Sequence, residues 1–135
     1  MLAGSPLYPT IPTKDLDRAR GFYEGVLGLP VVRDKGFEVI YRAGDVDVDV
    51  FASEGAGTAE HTLASFIVDD IESIVRGLRE RGVVFEEYDI PGLKTVNGIA
   101  DLGPDKSAWF KDPDGNLLSV SQLDALPLSE APDEA

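Results

Sequence analysis

The run Asp45-Val46-Asp47-Val48-Asp49-Val50 alternates carboxylates with valines. Strict alternation marks a strand with one buried face. The valines then face a core or a helix, and the aspartates face solvent or a cavity. In a cavity, Asp47 or Asp49 would accept a hydrogen bond from a ligand or hold a cationic one. A calcium loop is excluded, because its sixth position needs Gly and here is Val50. His61 is the single histidine. Imidazole can act as a general base near neutral pH, and the plainer alternative is a strand-start histidine bonded to a loop or water. Trp109 and Phe110 are adjacent on one strand, so they point to opposite faces. One packs beneath a helix, and the other is free to form a wall for a flat ligand or to pack in a core. Ser119 and Ser121 share a strand face and suit a polar wall. No serine sits at a sharp strand-to-helix elbow, so no Ser-His-Asp nucleophile is implied. Gly55-Ala-Gly57-Thr58 lacks the spacing and the lysine of a phosphate cradle. Lys94 and Lys106 flank a stretch rich in Gly and Pro, either as surface cations or to meet an anionic ligand.

The elements that must position these groups are written twice. Ile11-Pro-Thr-Lys-Asp15-Leu16 precedes an amphipathic helix pattern and then Gly28-Leu29-Pro30-Val31-Val32. Phe66-Ile-Val-Asp69-Asp70-Ile71 precedes a second helix pattern and then Gly82-Val-Val-Phe85. Asp15 and Asp70 are N-cap types, and Gly28 and Gly82 end the helices. Leu16, Ala19, Tyr23, Val26 and Leu27 form one apolar stripe, and Ile71, Ile74, Val75 and Leu78 form the other. Strands are predicted at 7–13, 29–34, 37–42 and 46–51, then at 61–68, 83–88, 107–111 and 117–122. Asp112-Pro-Asp-Gly-Asn116 is a turn: Pro113 presets its torsion and Gly115 accepts a positive φ. Residues 89–106 read as one long loop, of the kind that forms a lid or binding segment. The fold class is therefore α+β, two tandem βαβββ modules with curved sheets. One domain spans 1–124, with modules at about 1–57 and 58–124. Residues 125–135 read as an acidic, disordered tail.

The chain has 135 residues, with 12 basic and 25 acidic side chains and a net charge of −13. Such a field opposes nucleic acid, whose phosphates need clustered cations. No apolar run reaches the roughly 20 residues of a membrane helix, and the N-terminus lacks a secretory pattern. There is no cysteine, hence no disulfide and no thiolate metal site. A cytoplasmic location is the expectation.

In Asp15-Leu-Asp-Arg-Ala-Arg-Gly-Phe22-Tyr23, Val26-Leu-Gly-Leu29, Phe66-Ile-Val-Asp69-Asp70-Ile71 and Trp109-Phe-Lys-Asp112-Pro-Asp-Gly115-Asn116, the chain resembles the vicinal oxygen chelate superfamily. That group includes glyoxalase I, extradiol dioxygenases, and fosfomycin- and bleomycin-resistance proteins. The resemblance covers about residues 7–123. It implies a cavity between two modules, commonly in a homodimer, and four metal-binding positions, two per module, usually His or Glu. Carried onto this sequence they fall on Tyr8, on Asp47 or Asp49, on Leu63 and on Ser119. Leucine cannot ligate, and neutral serine and phenol are poor substitutes for imidazole or carboxylate. The expectation is no metal and no cofactor.

The function expected from the resemblance is binding of a small apolar or aromatic molecule, with Tyr8, Asp47, Asp49, His61, Leu63, Trp109, Ser119 and Ser121 lining the cavity. The alternative is a metal-independent lyase or isomerase that uses Asp, His and Tyr for acid–base chemistry. A third class is a non-catalytic regulatory or assembly module. Catalytic residues are not assigned.

Overall fold

A computed structural model describes residues 1–123, and the expected acidic tail lies outside the described residues. The chain divides into two compact units. The first holds residues 1–63 with 112–117, and the second holds 64–111 and the strand from 118. Among the described residues no helix is long and apolar enough to cross a membrane.

In the first unit, β1 (Thr10–Thr13) leads into α1 (Leu16–Arg20). Asp15 caps this helix as its type predicts, its carboxylate accepting from the Arg18 N–H at 3.1 Å. The helix then widens into a π-helical stretch, Gly21–Val26, in which the Leu27 N–H reaches the Phe22 carbonyl at 2.9 Å. Helical spacing in the sequence does not reveal this widening. Gly28 takes φ +73, the left-handed exit from a helix. Three strands follow: β2 (Val31–Asp34), β3 (Glu38–Ala43) and β4 (Val46–Ala52). The sheet order is β1-β4-β3-β2, with β1 parallel to β4 and the other pairs antiparallel. β1 is shorter than expected: residues 7–9 precede it, although the Pro9 carbonyl still accepts from the Asp49 N–H at 3.0 Å.

One face of this sheet is core. Ile11, Thr13, Val39, Tyr41, Val48 and Val50 are buried there, with Ala19 and Tyr23 from the helix also buried. Tyr23 stacks on Tyr41 with ring centroids 6.1 Å apart. Thr10, Asp49 and Ile40 stand opposite one another in register across β1, β4 and β3. They belong to the other face.

The second unit carries β5 (Thr62–Ile67), α2 (Ile71–Glu80), β6 (Asp89–Ile90), β7 (Leu93–Val96), β8 (Ile99–Asp101), β9 (Lys106–Lys111) and β10 (Leu117–Gln122), β5 and β10 beginning in the first unit. The sheet order is β5-β10-β9-β8-β7-β6. Asp70 caps α2, accepting from Ser73 N at 3.2 Å. Ile71 and Val75 are buried, but Ile74 is exposed, so the buried stripe is narrower than expected.

Two expectations fail here. Residues 83–88 form no regular strand, only an isolated bridge from Phe85 to Phe110. Residues 89–106 are not one long loop but a meander of three short strands that runs on into β9. Its second turn is Asn97-Gly98, with φ of 54° and 82°. Two consecutive positive φ values are the two-residue hairpin that Asn-Gly favours. The density of Gly and Pro that suggests a loop is the density that tight turns need.

Candidate functional site

In the first unit, the alternation at residues 45–50 resolves into a single outcome for each aspartate. Asp45 lies in the exposed turn before β4. Asp47 forms an ion pair with Arg42, its partner across β3, and both side chains stay well exposed. Asp49 is buried at 7% exposure, and its Oδ1 is buried with no hydrogen-bond partner among the described residues. Its side chain shares a hydrogen bond with Glu38, which lies one register row along the same face. Burial first, then the Glu38 carboxylate, push the Asp49 carboxyl up to about 6. Glu38 is held below the usual carboxylate range by the Asp49 hydrogen bond and by Lys35, whose Nζ is 3.3 Å from Glu38 Oε1. One proton shared between two carboxyls accounts for the opposite directions. A cavity of about 200 Å³ is lined by Tyr8, Val32, Arg33, Lys35, Ile40 and Asp47, and so includes the ion-pair partner of Glu38 and the register partner of Asp49. Tyr8, Asp47 and Asp49 are thus brought together on one face.

The residues of the second unit's sheet are placed differently. Trp109 is half-buried and meets Tyr88 edge-on at 5.6 Å, while Phe110 is fully buried against Phe85 at 5.5 Å. The two aromatics do split between faces. Ser119 and Ser121 are buried, and each already has a hydroxyl partner. Ser119 bonds Ser65, and Ser121 Oγ lies 2.7 Å from Ser107 Oγ. Leu63 is half-buried near the start of β5, and His61 stands exposed at the bend before it.

A further polar cluster in the first unit surrounds the Asp112–Asn116 turn. Asp112 Oδ1 accepts from the backbone N–H groups of Asp114 and Asn116, both at 2.9 Å. Its Oδ2 accepts from the Tyr23 hydroxyl at 2.6 Å and Asn116 Nδ2 at 2.9 Å. Asn116 also donates to the Pro12 carbonyl and accepts from the Gly57 N–H. Asp114 takes the Thr13 hydroxyl at 2.6 Å, the Lys14 N–H and Arg18 Nη2. Burial, then Asp112, raise the Tyr23 phenol far above its ordinary range, so it acts as a fixed donor. This knot ties the helix start, β1 and the linker together. The Tyr23 ring lies in the core as its place on the stripe predicts, and its polar tip adds a bond that helical spacing cannot show.

Residues 6–120 match the Glyoxalase/Bleomycin resistance protein/Dioxygenase superfamily. The chain belongs to that superfamily. A bleomycin resistance protein of Klebsiella pneumoniae is 29% identical over 125 residues, 87% of this chain and 92% of that protein. TnmS3, an antibiotic-binding protein from Streptomyces sp. CB03234, has a TM-score of 0.64 at 20% identity, covering 91% of this chain and 98% of its own. A glyoxalase family protein from Enterococcus faecalis has a TM-score of 0.68 at 21% identity, covering 90% and 99%. At these identities the solved structures establish the shared α+β fold.

The metal positions that the family resemblance implies are occupied by Tyr8, Leu63, Ser119 and an aspartate of β4, and these donors do not fit a divalent ion. Among the described residues no three His, Cys, Asp or Glu side chains converge as a ligand set. Sequence reasoning missed Glu38, although Glu38, Ile40 and Arg42 alternate with Val39 and Tyr41 and so share a strand face. It missed Ser65 and Ser107 too, whose partners are fixed by sheet register.

Proposed function

We propose that this chain binds a small, largely apolar or aromatic molecule and holds it by complementarity, without a metal centre. The observation that carries this reading is the donor chemistry at the family's ligand positions: Leu63 has no donor atom, and the Ser119 hydroxyl is engaged by Ser65. Sequestration needs neither a nucleophile nor a metal. Two relatives support it by name, a bleomycin resistance protein and an antibiotic-binding protein. Tyr8, Ile40 and Val32 offer apolar surface around a cavity with a few polar groups, the usual composition of a small-molecule site. Trp109 and Tyr88 offer an aromatic pair on the second sheet. We extend the reading to a homodimer, which sedimentation would check. Isothermal titration reads binding without a reporter residue. Titration with bleomycin and with planar aromatic compounds in EDTA should give a saturable change for at least one of them. Stoichiometric Zn, Ni, Mn or Fe surviving dialysis, or binding abolished by EDTA, would overturn the metal-free reading.

A second reading, acid–base catalysis by a lyase or isomerase, is favoured by one observation. A carboxyl with a pKa near 6 beside the Tyr8 cavity is poised for proton transfer. Turnover of a hemithioacetal in EDTA that disappears in Asp49→Asn would establish it. Absence of turnover leaves binding alone.

A further inference from the structure

We propose that the Asp49 carboxyl is the polar anchor of the ligand site and takes a neutral hydroxyl or N–H donor of an aromatic ligand. This rests on the binding reading above. Asp49 is more than nine-tenths buried, and its Oδ1 lacks a hydrogen-bond partner among the described residues. A buried acceptor left unpaired costs the full desolvation of that atom, and native structures rarely tolerate one without a reason. Its neighbours do not supply a donor. Glu38 shares a hydrogen bond with the Asp49 side chain and is itself tied to Lys35. Ile40, directly opposite on β3, is apolar. Asp47 is paired with Arg42. Among the described residues none donates to Oδ1, which leaves that place to a ligand.

The charges around the cavity choose the kind of donor. Arg33 and Lys35 both line it. With Lys35 paired to Glu38 and Asp47 to Arg42, cations and carboxylates around the cavity offset one another. A charged ligand therefore finds no net field to offset its desolvation, and a neutral donor is favoured. The apolar walls, Tyr8, Val32 and Ile40, suit the ring that carries it. A phenol-type hydroxyl meets both requirements: a flat apolar body and one strong donor, which a carboxylate binds more tightly than a neutral acceptor does. The same geometry separates the two aspartates of the strand. Asp49 binds the ligand, and Asp47 serves the surface ion pair.

The test uses matched probes, 2-naphthol and 2-methoxynaphthalene, which differ by the donor hydrogen and a methyl group. Isothermal titration on the full chain in EDTA should show 2-naphthol bound roughly tenfold or more tighter, the size of a charge-assisted hydrogen bond. Asp49→Leu, which removes the acceptor, should bring the two affinities to within about threefold by weakening only 2-naphthol. If Asp49→Leu does not fold by circular dichroism, Asp49→Asn provides the same comparison with a weakened acceptor. Equal binding of the two probes by the wild type would overturn this inference and leave the binding reading standing. A preference that persists in Asp49→Leu would overturn the assignment to Asp49. Failure of both probes would overturn the inference, and failure of bleomycin and the whole aromatic panel would overturn the binding reading itself. A crystal structure with 2-naphthol that shows an ordered water still on Oδ1 would assign the missing partner to solvent and overturn the proposal.

Discussion

Asp112 and Asp49 are both buried aspartates of the first unit, at 5% and 7% exposure, yet their surroundings are opposite. A carboxylate offers about four acceptor sites. Asp112 fills all four, with two backbone N–H groups, the Tyr23 hydroxyl and the Asn116 amide. Asp49 shares one bond with Glu38 and leaves an oxygen empty. The first arrangement joins segments distant in sequence, since Tyr23 and Asp112 are 89 residues apart. The second joins only two neighbouring strands, β4 and β3. A satisfied buried carboxylate is a structural clamp, whereas an unsatisfied one has an acceptor left over. Family membership alone does not reveal this division of labour.

The knot should therefore give the largest stability losses. Asp112→Ala strands the Tyr23 hydroxyl, the Asn116 amide and two backbone donors at once, for a loss of about 3–5 kcal/mol by urea denaturation. Gly57→Ala should be comparably severe. Its backbone sits at φ +78, and an added Cβ would lie 2.0 Å from the Asp114 carbonyl oxygen. A loss under about 1 kcal/mol for Asp112→Ala would erase the contrast.

Much of this scaffold was legible in the sequence, because it depends on local chemistry. Asp15 and Asp70 cap their helices, and Gly115 takes the positive φ that the Asp-Pro-Asp-Gly turn requires. The partners of that turn were not legible. Nothing near Asp112 in sequence announces Tyr23, since helical spacing places a ring in the core without saying what its hydroxyl meets. The alternation at 45–50 gives the face of each aspartate but not its depth. Only the register of β3 on β4 shows that Asp47 meets Arg42 while Asp49 meets Ile40 and, diagonally, Glu38. The serines of β10 read as a cavity wall, and that reading does not show that sheet register pairs them with Ser65 and Ser107.

The next effect is one of pH and belongs to Asp49. Its folded pKa, about 6, lies above the ordinary value. The protonated form is thus the one the fold favours, and its contribution is complete below about pH 4 and lost as the pH rises through 6. Asp49→Asn should accordingly gain on the wild type, by about 2 kcal/mol between pH 4 and pH 7. Glu38, with a lowered pKa, works in the opposite sense at more acid pH. Arg33, Lys35 and the Arg42–Asp47 pair are the other charged groups on this face among the described residues. Parallel urea titrations of the two proteins at each pH would measure the gap, and a constant gap would mean that Asp49 ionises freely.

Tyr23→Phe probes the knot more gently. The ring keeps its stacking on Tyr41, and Asp112 keeps three of its four donors. The expected loss is about 1 kcal/mol, with probe binding unchanged, because Tyr23 lies on the core face. Any change in 2-naphthol affinity would mean that clamp and open face are coupled.

The smallest effect sharpens the comparison most. Asp47 and Asp49 sit two residues apart on one strand and one face. Asp47 is bound to Arg42 at the surface, where both side chains meet solvent. Exposed pairs contribute little, because water screens the attraction and ordering two side chains costs entropy. Asp47→Asn should shift stability by less than about 0.5 kcal/mol. It should also leave the preference for 2-naphthol over 2-methoxynaphthalene intact, although Asp47 lines the cavity. If that preference fell as far as in Asp49→Leu, the site would be reading the summed charge of the face. Were it to fall only in Asp49→Leu, the site would be reading one buried oxygen, and an exposed carboxylate two residues away could not replace it.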